Sequence, residues 1–297
     1  ILTTYGMLYH SYKHYTPDIT GVGDYIFYRE MFFHPFDYNS TQSPFVYRQI
    51  SPFIAHIFFK LGFFYDTMIS FSDVLIEKKI FFANLLSNYI ALIITAITVS
   101  KVVDLEIGRI TIIPPILAGL ICFLCFGSQL VVMTMLVEGW TWAFIALGFY
   151  ALRKQNITMF TLIVLLSIFQ KETITLTLGF ISFLLLVSNK YGTNKTEEIK
   201  VLLFMLLGSI FSFSIYIFIR SYLINVSGYE SQLNIYLHIN NLIGYEYTNL
   251  SWFFPNFLTQ NVFFITCFVF AIYAFNNKEK SKNLQLNYLN QIHYPSP

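Results

Sequence analysis

Residues 80–100 read IFFANLLSNYIALIITAITVS, a stretch without a single Lys, Arg, Asp or Glu. An α-helix needs about 20 consecutive apolar residues to cross the hydrocarbon core of a bilayer, so this stretch predicts a transmembrane helix. The same pattern recurs along the chain, and the opening ILTTYGMLY is similar to the end of one more span. The further predicted spans are 110–126, 138–152, 157–170, 172–188, 201–219 and 259–275.

The composition of the whole chain agrees with a membrane location. Only 18 Lys+Arg and 16 Asp+Glu occur in 297 residues, 56% of the residues are hydrophobic, and the mean hydropathy is +0.58. A soluble chain has about a quarter of its residues charged, and this one at 11% would expose large apolar patches. Soluble enzymes and disordered tails are thereby excluded. The net charge of +2 also excludes a nucleic-acid binder. The apolar composition therefore predicts the lipid bilayer as a partner of the chain.

The distribution of Lys and Arg predicts how the chain is oriented, because short cytoplasmic loops are enriched in both residues. The basic connections are 101–109, 153–156, 189–200 and the tail 276–297. They alternate along the chain with 10–79, 127–137, 170–172 and 221–258. The basic set is therefore predicted to be cytoplasmic and the other set exterior, in the plasma (inner) membrane of a bacterium.

The predicted fold class is thus all-α, a polytopic transmembrane helical bundle. Residues 1–275 form its transmembrane domain, with about seven visible spans plus a partial first one, and residues 276–297 form a polar cytoplasmic tail. The first exterior loop, 10–79, is too polar for a simple span and too apolar for a free loop. Its aromatic stretches 25–33 and 52–65 predict helices lying in the membrane interface.

Charged residues near the membrane are few, and most of the unexplained ones fall on the predicted exterior side. A charge at the bilayer centre costs about 2.5–3.5 kcal/mol on insertion scales, so such groups usually pair or line a cavity. We therefore expect a site at the external mouth of the bundle. Its charged candidates are Asp24, Arg29, Glu30, Arg48, Glu138, Lys171, Glu172 and Arg220.

Two of these candidates lie in informative local sequences. Asp24 follows two glycines and either caps a helix through Tyr28 and Phe32 or serves as a general base in an exterior pocket. Arg48 precedes Pro52 by four residues, and Pro is favoured at the first position of a helix. The helix N-terminus and Arg48 would then suit a phosphate, whereas the alternative is an Arg that reaches to lipid headgroups.

The other candidates each have an ordinary explanation beside the functional one. Glu138 opens a predicted helix, where a carboxylate is favourable in any case. Lys171 and Glu172 either neutralise one another or hold an anionic substrate. Arg220 lies on the exterior side against the usual bias of basic residues, which favours a role in binding an anion.

Several kinds of chemistry have no support in the sequence. There is no P-loop and no GxSxG motif, and His34 and His56 belong to no metal-binding spacing, so neither a metal nor a cofactor is predicted. Cys122 and Cys125 form a CxxC within an apolar run, where the thiolate needed for redox or metal chemistry is disfavoured. We interpret both cysteines as packing residues.

The exterior residues resemble a known family. The pattern looks like that of the GT-C superfamily of polyprenyl-phosphate-dependent glycosyltransferases. Its parts are the acidic Asp24, the PFVYRQISP stretch at 44–52, Glu138 and the Lys171-Glu172 pair. The resemblance covers roughly residues 20–175. It implies an integral membrane enzyme that moves a sugar from a polyprenyl-phosphate carrier to a glycan, lipid or protein acceptor on the non-cytoplasmic face.

The same resemblance implies roles for individual residues. Asp24 would be the catalytic carboxylate, and Arg48 with Lys171 or Arg220 would hold the donor phosphate. The complete predicted substrate-binding set is Tyr28, Arg29, Tyr47, Arg48, Glu138, Lys171, Glu172 and Arg220.

Three other functions remain open at this point. An O-antigen-polymerase-like polysaccharide assembly protein would also handle lipid-linked glycans with exterior Arg residues. A lipid-linked-glycan flippase or secondary transporter would show inverted repeats and helices broken near the midplane. A non-catalytic membrane scaffold would leave the exterior charges without a purpose.

Overall fold

The computed structural model describes residues 24–42, 45–62, 76–107, 112–187 and 195–223. Every regular element in these ranges is helical, which confirms the prediction of an all-α protein. The helices are α1 Asp24–Phe33, α2 Ile50–Leu61, α3 Ile76–Ile107, α4 Ile113–Leu124, α5 Phe126–Met133, α6 Glu138–Arg153, α7 Ile157–Ser167, α8 Glu172–Val187 and α9 Lys195–Phe218. A 3-10 turn, Phe45–Tyr47, precedes α2, and a π-helical turn, Ile219–Leu223, follows α9. The predicted partial span at the start, the span 259–275 and the tail 276–297 lie outside the described residues.

Two of the described helices are long and apolar enough to cross a membrane. They are Ile80–Glu106 within α3 and Glu198–Tyr222, which combines α9 with its π-helical turn. The pair α4 and α5 forms a third candidate if its two helices, bent by 54°, count as one span. By length and composition the described part of the chain therefore supports two or three spans.

The remaining predicted spans correspond to shorter helices. α6 and α8 have 16 residues each and α7 has 11, which correspond to about 24 Å and about 17 Å at 1.5 Å per residue. The hydrocarbon core of a bilayer is about 30 Å thick. The predicted positions of these helices are right within a few residues, but α7 is too short to cross alone.

Polar interruptions of the apolar sequence become tight turns between these helices. α6 ends at Arg153, and Gln155 follows with a φ of 55°. Asn156 then caps α7, since its side chain accepts a hydrogen bond from the backbone N–H of Met159 at 3.0 Å. The connection is therefore specified by local chemistry.

α3 and α6 run in the same direction through the bundle. At one end the indole Nε1 of Trp140 donates to the hydroxyl of Ser87 at 2.9 Å, and at the other end Arg153 pairs with Glu106. α4 and α5 return the chain between them, and α7, α8 and α9 continue the alternation. We refer to the two ends as the Glu138 end and the Arg153 end.

The largest buried cluster joins α6, α7, α8 and α9. Gly148 of α6 lets α8 approach closely, because a Cβ at this position would lie 2.4 Å from Cδ1 of Leu178. Small polar residues are also buried here, and the hydroxyl of Ser212 on α9 donates to the carbonyl of Val164 on α7 at 2.6 Å. The fully buried large residues of the cluster are Phe160, Ile174, Leu178 and Met205.

Large apolar side chains face outward on the same helices. Phe180 of α8 is 61% exposed and Phe211 of α9 is 64% exposed. Small residues packed between helices and large apolar residues outside are typical of membrane helices, where lipid covers the outer surface. This arrangement agrees with the candidate span in α9.

α1 and α2, predicted as interfacial helices, exist and pack against the start of α3. Phe32 of α1 and Ala55 of α2 are fully buried in a cluster with Ile80 and Ala83. The imidazole Nδ1 of His56 lies 2.8 Å from the carbonyl oxygen of Phe32 and links the two helices. Both helices are thus integrated into the bundle, and their contact with a membrane interface remains a prediction.

Candidate functional site

The site is organised around a buried amide that the sequence analysis did not single out. Gln170, in the turn between α7 and α8, is completely buried. Its Oε1 accepts from the N–H of Ser51 at 3.1 Å, and its Nε2 donates to the carbonyl of Val137 at 2.8 Å. Gln170 therefore joins the start of α2, the loop before α6 and the turn before α8. An amide inside a long apolar block is the signal that could have identified it.

The N-terminus of α2 is not open for a phosphate, contrary to our prediction. The helix begins at Ile50, so Pro52 is its third residue and not its first. The N–H of Ile50 donates to the carbonyl of Phe169 at 3.1 Å, and the N–H of Ser51 is held by Gln170. Proline has no N–H to offer. The backbone donors that would have faced a phosphate are therefore occupied or absent.

Arg48 lies near the start of α2, and its side chain points into the protein, which does not favour the alternative in which it reaches to lipid headgroups. Its Nη1 donates to the hydroxyl of Tyr28 at 2.9 Å, and its Nη2 lies 3.4 Å from Oε1 of Glu172. The guanidinium carbon lies 5.7 Å from the ring centre of Phe45. Only 14% of the side chain is exposed.

The loop that carries Arg48 is held by its neighbour Gln49, a completely buried residue. Oε1 of Gln49 accepts from the N–H of Phe36 at 2.8 Å, and its Nε2 donates to the carbonyl of Val46 at 2.8 Å. Phe36 has a φ of 62°, which is rare for a residue with a side chain. The amide of Gln49 thus ties the loop that positions Arg48 to Phe36 and to Val46.

Glu172 connects Arg48 to the last helix. Its Oε2 accepts from the hydroxyl of Tyr216 at 3.3 Å, and that hydroxyl accepts in turn from Nη1 of Arg220 at 3.3 Å. The hydroxyl of Tyr47 donates to the carbonyl of Arg220 at 3.4 Å, and the guanidinium of Arg220 lies 5.6 Å from the Tyr47 ring centre. Tyr216 was missed by the sequence analysis, although its place four residues before Arg220 puts both on one helix face.

Lys171 and Glu172 each have a partner elsewhere in the chain, and Lys171 also acts electrostatically on its neighbour Glu172. Nζ of Lys171 lies 2.8 Å from Oε1 of Glu138, the first residue of α6. The two ion pairs lie side by side, because Lys171 and Glu172 are consecutive residues. We call this set the charge network. Its members are Tyr28, Tyr47, Arg48, Glu138, Lys171, Glu172, Tyr216 and Arg220.

Burial and charge act in opposite directions on the central pair. Burial alone would lower the pKa of the Arg48 guanidinium, but Tyr28 and Glu172 outweigh it and hold that pKa above its usual range. Burial alone would raise the pKa of the Glu172 carboxyl, whereas the attraction of Arg48 holds it below its usual range. Both groups are therefore charged at neutral pH.

The structure places the three remaining charged candidates, Asp24, Arg29 and Glu30, on α1, where Glu30 is half-buried. Arg29 is half-buried and directly follows Tyr28 of the charge network. Asp24 is the first residue of α1, but its side chain lies outside the described residues. Its catalytic role therefore remains a prediction.

An apolar groove between α8 and α9 leads away from the charge network. Its volume is about 370 Å³. Thr175 lies three residues after Glu172 and Phe213 three residues before Tyr216, so one end of the groove adjoins the network. The groove is lined further along by Gly179, Phe180, Phe183, Ser209, Ile210 and Ser214.

Other sites have little support in the described ranges. No group of three or more His, Cys, Asp or Glu side chains there could hold a metal ion. Cys122 is completely buried near the bend between α4 and α5, and the thiol of Cys125 at that bend lies 3.1 Å from the hydroxyl of Ser128. Both cysteines have a packing environment, as the apolar run around them predicts.

Comparison with known protein families, with curated proteins and with solved structures finds no match for this chain. In the part of the chain that the structure describes, fold and site define an all-helical protein with two or three helices able to cross a membrane and a partly buried charge network at one end of the bundle.

Proposed function

We propose that this protein is a membrane glycosyltransferase that moves a sugar from a polyprenyl-phosphate carrier to an acceptor at the Glu138 end of the bundle. One observation carries the proposal, namely the convergence of three basic side chains at this end of the bundle. Arg48 and Glu172 form one ion pair, Lys171 and Glu138 form another, and Arg220 joins them through the hydroxyl of Tyr216. Guanidinium and ammonium groups gathered at one partly buried place favour an anionic group such as a phosphate.

The groove between α8 and α9 supports a ligand with a long apolar tail. It begins beside Glu172 and Tyr216 and continues between outward-facing side chains such as Phe180, which would face lipid in a membrane. A phosphate at Arg220 would then join a prenyl chain lying along the groove. A soluble phosphate ester has no apolar tail that this groove could bind.

The lengths of the helices support an entrance from the membrane. α6 and α8 are about 24 Å long, which is less than the thickness of about 30 Å of the hydrocarbon core. If the Arg153 end lies at one membrane surface, the charge network lies below the opposite surface. The headgroup of a lipid-anchored substrate reaches that depth without leaving the bilayer.

The network residues suit the chemistry of sugar transfer. Arg48, Lys171 and Arg220 would stabilise the negative charge that develops on the leaving phosphate. A carboxylate would take the proton of the acceptor hydroxyl, the role predicted for Asp24. Tyr28, Arg29 and Tyr47 complete the proposed binding surface, and the exterior face of a bacterial inner membrane remains its proposed location.

Reconstitution of the full chain in liposomes tests this function. Transfer of radiolabelled sugar from a set of polyprenyl-phosphate-linked hexoses to an added lipid or glycan acceptor is measured for the wild type and for Arg220→Ala. We expect transfer by the wild type and a loss of at least about 100-fold in the variant. Arg153→Ala, which breaks an ion pair at the other end, is the matched control and keeps its activity. Absence of transfer by the wild type with every donor contradicts the proposal.

One observation favours a second candidate, a lipid-linked-glycan flippase or secondary transporter. The bend of 54° between α4 and α5 is the kind of helix break that transporters use at their binding sites. The same liposomes separate the two functions, since a flippase moves a labelled lipid-linked sugar to the other leaflet without forming a new glycosidic bond. Joining of preassembled lipid-linked glycans would instead favour a polysaccharide assembly protein.

A further inference from the structure

Two buried polar atoms of the charge network have no hydrogen-bond partner in the described part of the chain. One is a donor, Nε of Arg48, and the other is an acceptor, Oε2 of Glu138. Buried polar atoms are nearly always paired, because an unpaired one has lost its hydrogen bonds to water without replacement. An unpaired donor and an unpaired acceptor in adjacent ion pairs indicate a ligand that can accept one hydrogen bond and donate another.

The position of Glu138 is fixed independently of any ligand. Nδ2 of Asn88 on α3 donates to the carbonyls of Val131, Thr134 and Leu136 at 3.2, 3.0 and 3.4 Å, so it holds the loop that ends at Glu138. A Cβ on the next residue, Gly139, would lie 2.8 Å from Oδ1 of Asn88, so only glycine fits this approach.

The carboxylate itself is oriented by Lys171. Its ammonium group lies 2.8 Å from Oε1, which leaves the other oxygen, Oε2, for a second partner. A carboxylate with one oxygen held in place and the other unpaired is suited to act as a general base, because the second oxygen can receive a proton.

We propose that Glu138 is the general base of the transfer reaction and that Arg48 Nε donates a hydrogen bond to an oxygen of the same hydroxyl-bearing acceptor. The inference rests on the proposed function and assigns the base to Glu138 in place of Asp24. The acceptor class that fits is an alcohol, as in a glycan or lipid hydroxyl, because a hydroxyl donates through its O–H to Oε2 and accepts on its oxygen from Arg48 Nε.

In the proposed transfer, one bond to the anomeric carbon forms as another breaks. The acceptor oxygen forms a bond to the anomeric carbon of the sugar, and its proton passes to Oε2 of Glu138. The bond between the anomeric carbon and the phosphate oxygen breaks, and its electron pair remains on the polyprenyl phosphate. The neighbouring cations Arg48, Lys171 and Arg220 face the charge that appears there.

The test compares Glu138→Gln with Glu106→Gln in the reconstituted full chain. Glutamine keeps the shape of the side chain but accepts no proton at neutral pH, so we expect kcat to fall by about 10²- to 10⁴-fold. The affinity for labelled polyprenyl phosphate should stay within about twofold of the wild type. It is measured by co-sedimentation of the label with the protein after the liposomes have been extracted with detergent. Glu106 pairs with Arg153 at the other end, and its variant keeps the wild-type kcat.

Chemical rescue separates a base from a structural residue. We expect added formate to restore part of the transfer by Glu138→Ala, with a rate that depends on formate concentration, because formate supplies the missing carboxylate. Full activity of Glu138→Gln, or absence of rescue together with lost donor binding, overturns the inference and leaves the proposed function standing. A wild type without transfer overturns both.

Discussion

Nη2 of Arg48 lies 3.4 Å from Oε1 of Glu172, although 124 positions separate the two residues in the chain. The contact connects the loop before α2 to the first residue of α8. It is also the centre of the charge network, since Tyr28 lies on its other side and Tyr216 on the far oxygen of Glu172. A substitution in this ion pair should therefore affect both the free energy of unfolding and the arrangement of the charge network.

A double-mutant cycle measures that coupling. Arg48→Gln and Glu172→Gln should each lower the free energy of unfolding by about 2–3 kcal/mol, because each leaves a largely buried charge without its partner. The double variant should lose less than the sum by about 1–3 kcal/mol. Unfolding in detergent micelles provides the values. Strictly additive losses would show that the two charges do not interact.

The same pair predicts a dependence of stability on pH. The pKa of Glu172 is lower in the folded protein than its ordinary value of 4.5, so its contribution to stability is complete above that value and is lost as the pH falls through the folded pKa. The thermal unfolding temperature of the wild type should therefore fall as the pH drops below 4.5. The curve of Glu172→Gln should be flatter in this window. Parallel curves for the two proteins would contradict the assignment.

Substitution of Gln170 should lower the free energy of unfolding by more than its position in a turn would indicate. Gln170→Leu keeps the volume but leaves the N–H of Ser51 without its partner and removes the bond to the carbonyl of Val137, at a cost of about 2–4 kcal/mol. Gln129→Leu is the control, because its side chain makes one exposed bond, to the carbonyl of Leu124 at 3.3 Å. Equal stability of the two variants, measured by thermal unfolding, would refute the anchoring role of Gln170.

Two glycines provide a test of the packing between α6 and α8. Gly148→Ala places a methyl group against the fully buried Leu178, which has little room to move, and should cost about 1–3 kcal/mol. Gly208→Ala meets nothing within 4 Å on α9 and should stabilise the protein by up to about 1 kcal/mol through its higher helix propensity. Opposite shifts in unfolding temperature are expected, and a stabilising Gly148→Ala would be the contrary result.

Blocking the groove tests the proposed lipid tail. Ser214→Trp fills the groove between α8 and α9 and should lower the affinity for long-chain polyprenyl phosphate by at least about tenfold, with a smaller effect on a short-chain analogue. Leu207→Trp adds the same ring to an exposed position of α9 outside the groove lining and should bind both as the wild type does. Equal binding of the long chain by both variants would remove the groove from the donor site.

Much of the helical architecture was predictable because its signals are local. The polar residues 153–156 interrupt an apolar block, and the structure ends α6 and starts α7 at that place with Asn156 as the cap. The boundaries predicted at 138, 157 and 172 coincide with the starts of three helices. The number of spans could not be predicted equally well, since hydropathy alone does not tell an 11-residue helix and its turn from a full crossing.

The pairing within the site could not be predicted, because it depends on contacts between distant parts of the chain. Lys171 and Glu172 are neighbours in sequence, yet successive residues at a helix start point in different directions, so each meets a different helix. Gln170 and Tyr216 are ordinary residues until the fold brings Ser51 and Glu172 beside them.

The scarcity and spacing of charged residues by themselves determined that this chain is all-helical and suited to a membrane, because long apolar runs leave few other ways to satisfy the backbone. They also singled out Arg48, Glu138, Lys171, Glu172 and Arg220 as residues in need of an explanation. Only the tertiary structure decided which carboxylate meets which cation, and which oxygen of Glu138 has no hydrogen-bond partner among the described residues. The physical reason is that hydropathy acts along the chain, whereas an ion pair acts across a few ångströms of space.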